Sequence, residues 1–165
     1  LSTRTTHPQF MALLQKLLDA IGVDAQLSMP YRFKTKGEML VQCADQSLLT
    51  SYACDTTSCG RFRTYNRTHC GRCVPCMVRK AAIHRWGLSD TTRYKFSALS
   101  GAGKTSADDP MAVACAVLAA EQRGIDFFLG ATLAFASDAD RPHYRRVAEQ
   151  GLAELAALLR RDGVL

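Results

Sequence analysis

Phe10, Leu13, Leu14, Leu17, Leu18 and Ile21 recur at helical intervals, which predicts an amphipathic helix that opens at Thr5-Thr6-His7-Pro8 and stops at Gly22. The period then changes to two. Val23, Ala25, Leu27 and Met29 alternate with Asp24, Gln26 and Ser28, the pattern of a short strand ended by Pro30. With one strand in view, the rest of any sheet must come from elsewhere. Tyr31 to Lys36 reads as a basic loop, and Lys36–Ala44 as a helix with Met39, Leu40, Cys43 and Ala44 on one side. Thr50–Ser58 is rich in Thr and Ser and leads into a cysteine segment. Met77–Trp86 reads as a helix stopped by Gly87.

Leu88–Ala107 is polar and contains glycine, so mostly loop is expected. Asp108-Asp109-Pro110 starts a helix that runs to about Gln122. A second apolar helix covers 126–136. A third begins at Asp138 or Asp140 with Pro142, and its stripe runs through Tyr144, Val147, Leu152, Leu155, Leu158 and Leu159. The expected organisation is therefore 1–87 with the cysteine segment, a loop over 88–107 and a helical tail over 108–165. The fold class is an α/β fragment, mainly helical, with one or two short strands and a four-cysteine site.

The apolar and charged shares are those of a globular domain, and 165 residues suffice for one core. The longest apolar runs, Met111–Ala120 and Phe127–Ser137, are too short to span a bilayer. The first residues lack the apolar core of a signal peptide, and the chain starts at Leu1 rather than Met, which points to a fragment. Seven cysteines without an export signal fit a reducing cytoplasm and metal-bound thiolates better than a disulfide framework.

The chemistry concentrates in Cys59–Lys80, CGRFRTYNRTHCGRCVPCMVRK. Its Arg61, Arg63, Arg67, Arg72, Arg79 and Lys80 face no acidic residue in the segment, and they equal the whole net charge of +6. Cys70, Cys73 and Cys76 form two linked Cys-x2-Cys turns, the spacing that brings sulfurs to one tetrahedral zinc ion. Gly71 frees the first turn to take a positive φ. Pro75 is expected to keep Val74 out of helix, so that the helix begins at Cys76. Cys59 best supplies the fourth ligand, with Cys54 and then His69 as alternatives. The competing reading is a set of reduced thiols or a redox-active pair. Cys43 and Cys115 lie on apolar faces and read as small core residues. Four thiolates and one zinc ion still leave this segment positive, which suits phosphate, nucleotide or nucleic acid.

Lys36-Gly37-Glu38, Thr57-Ser58-Cys59 and Cys70-Gly71-Arg72-Cys73-Val74-Pro75-Cys76 with Arg79 resemble the C-terminal part of the 7-cyano-7-deazaguanine synthase (QueC-like) family. The resemblance covers about Leu1–Trp86. It selects Cys59 over Cys54 and implies the C-terminal half of a PP-loop (adenine nucleotide alpha-hydrolase-like) fold. It places His7 in a short motif entering a helix near the substrate pocket. Ser-Thr-Arg-Thr-Thr-His-Pro with Cys-Val-Pro-Cys is most similar to the QueC-like branch found in Qat anti-phage systems.

Members of the family adenylate a deazaguanine carboxylate with ATP and then join nitrogen to it. The defence branch is thought to use a protein amine. For the complete protein this implies ATP and magnesium, a structural zinc, and a protein acceptor or defence-system subunit. The Ser-Gly-Gly-x-Asp-Ser loop that binds ATP in the family does not occur in this sequence, so the chain alone is not expected to hydrolyse ATP.

On this reading Lys36, Arg61, Arg63 and Arg72 offset phosphate charge, and the closed zinc site holds the basic loop near the substrate. A zinc-organised nucleic-acid-binding module, using the same arginines on phosphates, is the alternative. A zinc-stabilised protein-interaction domain is another. Ser100-Gly101-Ala102-Gly103-Lys104-Thr105 is not a Walker loop, because Ala98 stands where the first glycine is needed. His84 and His143 read as ordinary helix residues.

Overall fold

The computed structural model describes residues 7–100 and 109–165. The chain divides into two compact units, 1–33 and 34–165. In the first, α1 spans Pro8–Ala20, with His7 as N-cap accepting the Gln9 amide on Nδ1 at 3.2 Å. Proline in the first turn forfeits no hydrogen bond there.

The expected strand over 23–29 does not form. Among the described residues no strand lies beside it, so its backbone groups find another partner. Leu27 N donates to Gln15 Oε1 at 2.7 Å, and Gln15 Nε2 donates to the Ala25 carbonyl at 2.9 Å. One glutamine on α1 thus does for this segment what a neighbouring strand would do. The described residues contain a single isolated bridge, His69 with Tyr94, so they are helical rather than α/β. No described helix is long and apolar enough to cross a membrane.

In the second unit α2 is Lys36–Val41, shorter than expected. It is opened by a capping box: Glu38 N donates to Thr35 Oγ1 at 3.1 Å, and Thr35 N donates to Glu38 Oε2 at 2.8 Å. Cys43 therefore falls beyond the helix, half-buried with its Sγ 3.5 Å from the Asp45 carbonyl. A helix absent from the periodicity, α3 (Gln46–Tyr52), follows an Asp45 cap whose Oδ1 accepts from Leu48 N. One 3₁₀ turn, Ala53–Asp55, then leads to the cysteine segment.

Helix α4 is Val74–Trp86 and ends at Gly87 with φ +85°. It starts two residues earlier than expected. Cys73 is the extended N-cap, and Pro75 sits inside the first turn, where amides lack intrahelical acceptors anyway. Helix α5 (Asp109–Arg123) is followed by α6 (Ile125–Leu129). The expected helix over 126–136 breaks at Gly130 (φ +46°) into α6 and a 3₁₀ turn, Gly130–Leu133. Helix α7 is Arg141–Arg161, with Asp140 in the N-cap position without a side-chain capping bond and Pro142 in the first turn. The expected boundaries at 87 and 107 fall inside this unit. Residues 101–105 of the Walker-like sequence lie outside the described residues.

The core joins α4, α5 and α7 through Met77, Ala81, Val113, Ala114, Val117, Leu158 and Leu159, with Leu99 from the loop. Burial of Val113 and Val117 turns Cys115 to the opposite side of α5, where it is exposed rather than in the core. A buried polar network ties α2 to α4 and α7. Arg146 donates to Glu38 at 2.5 Å, and Arg85 Nη1 and Thr35 Oγ1 donate to Glu154 Oε1 at 2.8 and 2.5 Å. Gly37 permits this approach, since a Cβ there would lie 2.6 Å from Arg85 Cδ and 2.7 Å from Glu154 Oε2.

The Arg146 guanidinium holds the Glu38 carboxyl below its usual range, against the opposing pull of burial. A depressed folded-state value adds stability above the unfolded value of 4.5 and loses it as pH falls through the folded one. The melting temperature should therefore drop between about pH 6 and about pH 3, and part of that drop should vanish in Arg146→Met. Parallel profiles for the two proteins would remove Glu38 as its source.

Candidate metal centre

Cys59 arrives from the 3₁₀ turn through Thr56–Ser58, and Cys70, Cys73 and Cys76 come from the loop and the first turn of α4. All four are buried, and their sulfurs lie within 4.8 Å of one another. The Cys70–Cys76 and Cys59–Cys73 Sγ pairs are each 3.9 Å apart. That is far beyond a disulfide bond. It matches the edge of about 3.8 Å in a tetrahedron whose centre is roughly 2.3 Å from each sulfur, as in thiolate zinc sites.

Backbone amides already point at the sulfurs. Arg61 N and Cys70 N donate to Cys59 Sγ at 3.3 and 3.2 Å, and Cys73 N donates to Cys70 Sγ at 3.2 Å. Such donors stabilise thiolate, the form that binds metal. Hydrogen bonding from Cys76, aided by the Cys76 and Gly60 amides, pushes the Cys73 thiol down to about 4. The Cys76 thiol moves the opposite way, through that bond to Cys73 and through burial. The Cys73 thiol is thus ready to ionise, and a cation would offset the burial that opposes ionisation of Cys70 and Cys76.

The four cysteines fit a metal ion such as zinc. Four sulfurs would leave no open position, so the metal would hold the fold together rather than activate water.

Of the alternative ligands, Cys54 turns away, its Sγ 4.0 Å from Asp90 Oδ1. His69 is packed edge-on against Phe62 and Tyr94, with Nδ1 buried and without a hydrogen-bond partner, and burial pushes its imidazole below the usual range. Gly71 (φ +85°) seats the Cys70–Cys73 turn under the chain at 94–96. Lys95 N donates to the His69 carbonyl at 2.8 Å, and Phe96 N to the Cys70 carbonyl at 3.1 Å.

Beside the sulfurs, α2, α3 and α4 enclose a cleft of about 230 Å³. Lys36 stands on its rim, Thr56, Thr57 and Ser58 form one wall, and Arg79 of α4 lies within. The other expected anion-binding residues do not line it. Arg61 pairs with Asp109 at 3.4 Å, Arg63 is exposed, and Arg72 is half-buried in the Cys70–Cys73 turn. His7 caps α1 in the first unit. Sequence reasoning gave no role to Arg79 or to the hydroxyls of 56–58. Their signals were position beside the cysteines and, for Thr57, Ser58 and Arg79, membership of the stretches that carry the family resemblance.

The second unit is thus a helical unit organised around four cysteines that could hold a metal ion. Over 92 residues the chain is 32% identical to the 7-cyano-7-deazaguanine synthase of Paracoccus denitrificans (strain Pd 1222). The match covers 54% of this chain and 37% of the relative, so the chain spans little more than a third of the curated protein it resembles. No family model matches the chain, and no solved structure matches it.

Proposed function

We propose that this chain is the metal-bearing part of an ATP-dependent ligase acting on the carboxylate of a 7-deazaguanine. One observation carries the reading. Lys36 and the Thr57–Ser58 pair come from two separate stretches that resemble the deazaguanine synthases, and both line one cleft that adjoins Cys59. The weak match to a 7-cyano-7-deazaguanine synthase agrees with it.

In this function zinc, held by Cys59, Cys70, Cys73 and Cys76, fixes the wall of the substrate cleft. ATP and magnesium bind on a PP-loop half supplied by polypeptide outside this sequence. The carboxylate displaces pyrophosphate from ATP to form an acyl-adenylate, and an amine then displaces AMP. The setting we favour is cytoplasmic anti-phage defence of the Qat type, with a protein amine as acceptor.

The test mixes the chain with deazaguanine carboxylate, ATP and magnesium, with and without a separately expressed polypeptide bearing Ser-Gly-Gly-x-Asp-Ser. Pyrophosphate should appear only when both are present. Release by the chain alone, or by neither combination, overturns the reading.

A further inference from the structure

The four cysteines have an outer surface that the substrate cleft leaves unused. Phe62, Tyr65 and Tyr94 pack onto the cysteines, and the residues flanking these rings are exposed: Arg63, Thr64, Asn66 and Arg67 from the loop, Arg93 and Lys95 from the chain that straps it. The two stretches lie side by side, joined by the bridge between His69 and Tyr94 and by an edge-to-face contact of Tyr65 with Phe96 at 5.9 Å. The side chains of Arg63, Arg67, Arg93 and Lys95 make no hydrogen bond or ion pair with a described residue. No acidic residue occurs from Cys59 to Lys80. Asp109 is held by Arg61 and the Val74 amide, and Asp90 by the Tyr94 hydroxyl and the Thr92 amide. The four cations are thus left without local neutralisation on one cysteine-centred body.

The tip of the loop is a tight turn, with Thr68 N donating to the Tyr65 carbonyl at 3.0 Å. Its two central residues, Asn66 and Arg67, have φ of +49° and +57°. Asparagine tolerates this left-handed region, but arginine is disfavoured there relative to glycine. An exposed arginine in a strained position points to a use for its side chain. We propose that the surface carrying Arg63, Arg67, Arg93 and Lys95 binds the phosphate backbone of nucleic acid, without regard to sequence. Three of the four are arginines, whose planar fork matches phosphate oxygens. Thr64 and Asn66 add hydroxyl and amide donors of the kind that contact phosphates. Both are polar, so the tip lacks the apolar anchors of a membrane-surface segment. Phe62, Tyr65 and Tyr94 are engaged with the cysteines, so contacts fall on phosphates rather than on stacked bases. None of the four cations lines the cleft, and the inference stands independently of the ligase reading.

Fluorescence anisotropy of the full chain tests it, with a short labelled DNA duplex and single strands of DNA and RNA titrated at salt concentrations from about 50 to about 200 mM. Binding to at least one of the three is expected, since phosphates are their shared chemistry. If all four cations meet phosphates, the logarithm of the duplex affinity should fall with the logarithm of salt at a slope of about −3.6, or about tenfold per doubling. Arg63→Gln with Arg67→Gln should bring that slope to about −1.8 and weaken binding by at least about tenfold at low salt, with the melting curve unchanged. Arg93→Gln with Lys95→Gln should do the same from the strap, which guards against a fault in the folding of one variant. Lys16→Gln with Arg123→Gln removes equal charge from exposed positions elsewhere and should leave binding within about twofold. No binding at about 50 mM salt, or a loss in this control equal to that in the other two variants, overturns the inference. So does tighter binding to phosphatidylserine vesicles than to any of the three nucleic acids.

Discussion

Cys76→Ser is expected to abolish metal binding and to unfold much of the second unit. The wild-type chain should contain about one zinc per molecule and the variant almost none, as read by elemental analysis after dialysis against a chelator of modest affinity. The size of the effect follows from the position of Cys76. It is fully buried, and it precedes Met77, which is fully buried in the core of α4, α5 and α7. Structural zinc contributes roughly 10–16 kcal/mol to small metal-dependent folds, about the entire stability of a domain. With the ion gone, the sulfurs lose the cation that draws them together, and the 59–73 loop keeps the Phe62, Tyr65 and Tyr94 rings as its apolar support. Circular dichroism should show a loss of helix and of cooperative melting. Cys54→Ser and Cys115→Ser should leave metal content unchanged, since neither sulfur belongs to the four. A metal-free wild type with the same melting curve as the loaded protein would rule out the metal centre.

Gly71→Ala should destabilise the second unit by about 3–4 kcal/mol, the sum of two separate effects. The backbone there has φ +85°, a region that disfavours any side chain by about 1–2 kcal/mol. The new Cβ would also fall 2.1 Å from the Phe96 carbonyl oxygen. That atom is backbone and cannot rotate aside. Relief requires the 94–96 chain to lift, which breaks its two hydrogen bonds to the His69 and Cys70 carbonyls, each worth about 1 kcal/mol. Urea denaturation measures the loss. Gly60→Ala is the control, because no atom lies within 4 Å of its Cβ position, and its change should stay within about 0.5 kcal/mol. Equal effects at the two glycines would mean that the strap over Gly71 does not bear on stability.

These expectations rest on features of unequal visibility in the sequence. The four cysteines were legible because ligand spacing is local chemistry, and the limits of α1, α5 and α7 because caps and prolines are local too. The strand at 23–29 was misread because alternation reports a segment's preference, while pairing needs a neighbour, and here Gln15 takes that place. Helix α3 was missed because its seven residues are mostly polar and its one clear signal was the Asp45 cap. The exposure of Cys115 depended on which face of α5 meets Met77 and Leu158, a choice made by tertiary packing. Charge and spacing could not tell Arg79 from its neighbouring cations, and the resemblance that singled it out gave it no role. Only the fold turns it inward, onto Ala53, Thr56 and Thr92, while Arg61 turns to Asp109.

Helix α4 carries a sulfur ligand at Cys76, core residues at Met77 and Ala81, cleft residues at Arg79, Ala82 and Ile83, and a network residue at Arg85. Its turns therefore read like the teeth of one gear. Inserting or deleting a single residue would rotate everything beyond it by about 100° and disengage metal, core, cleft and network together. Gene variants of this protein should accordingly differ in length between Gly60 and Thr68, where the chain runs through turns, and keep the count from Cys70 to Gly87 fixed.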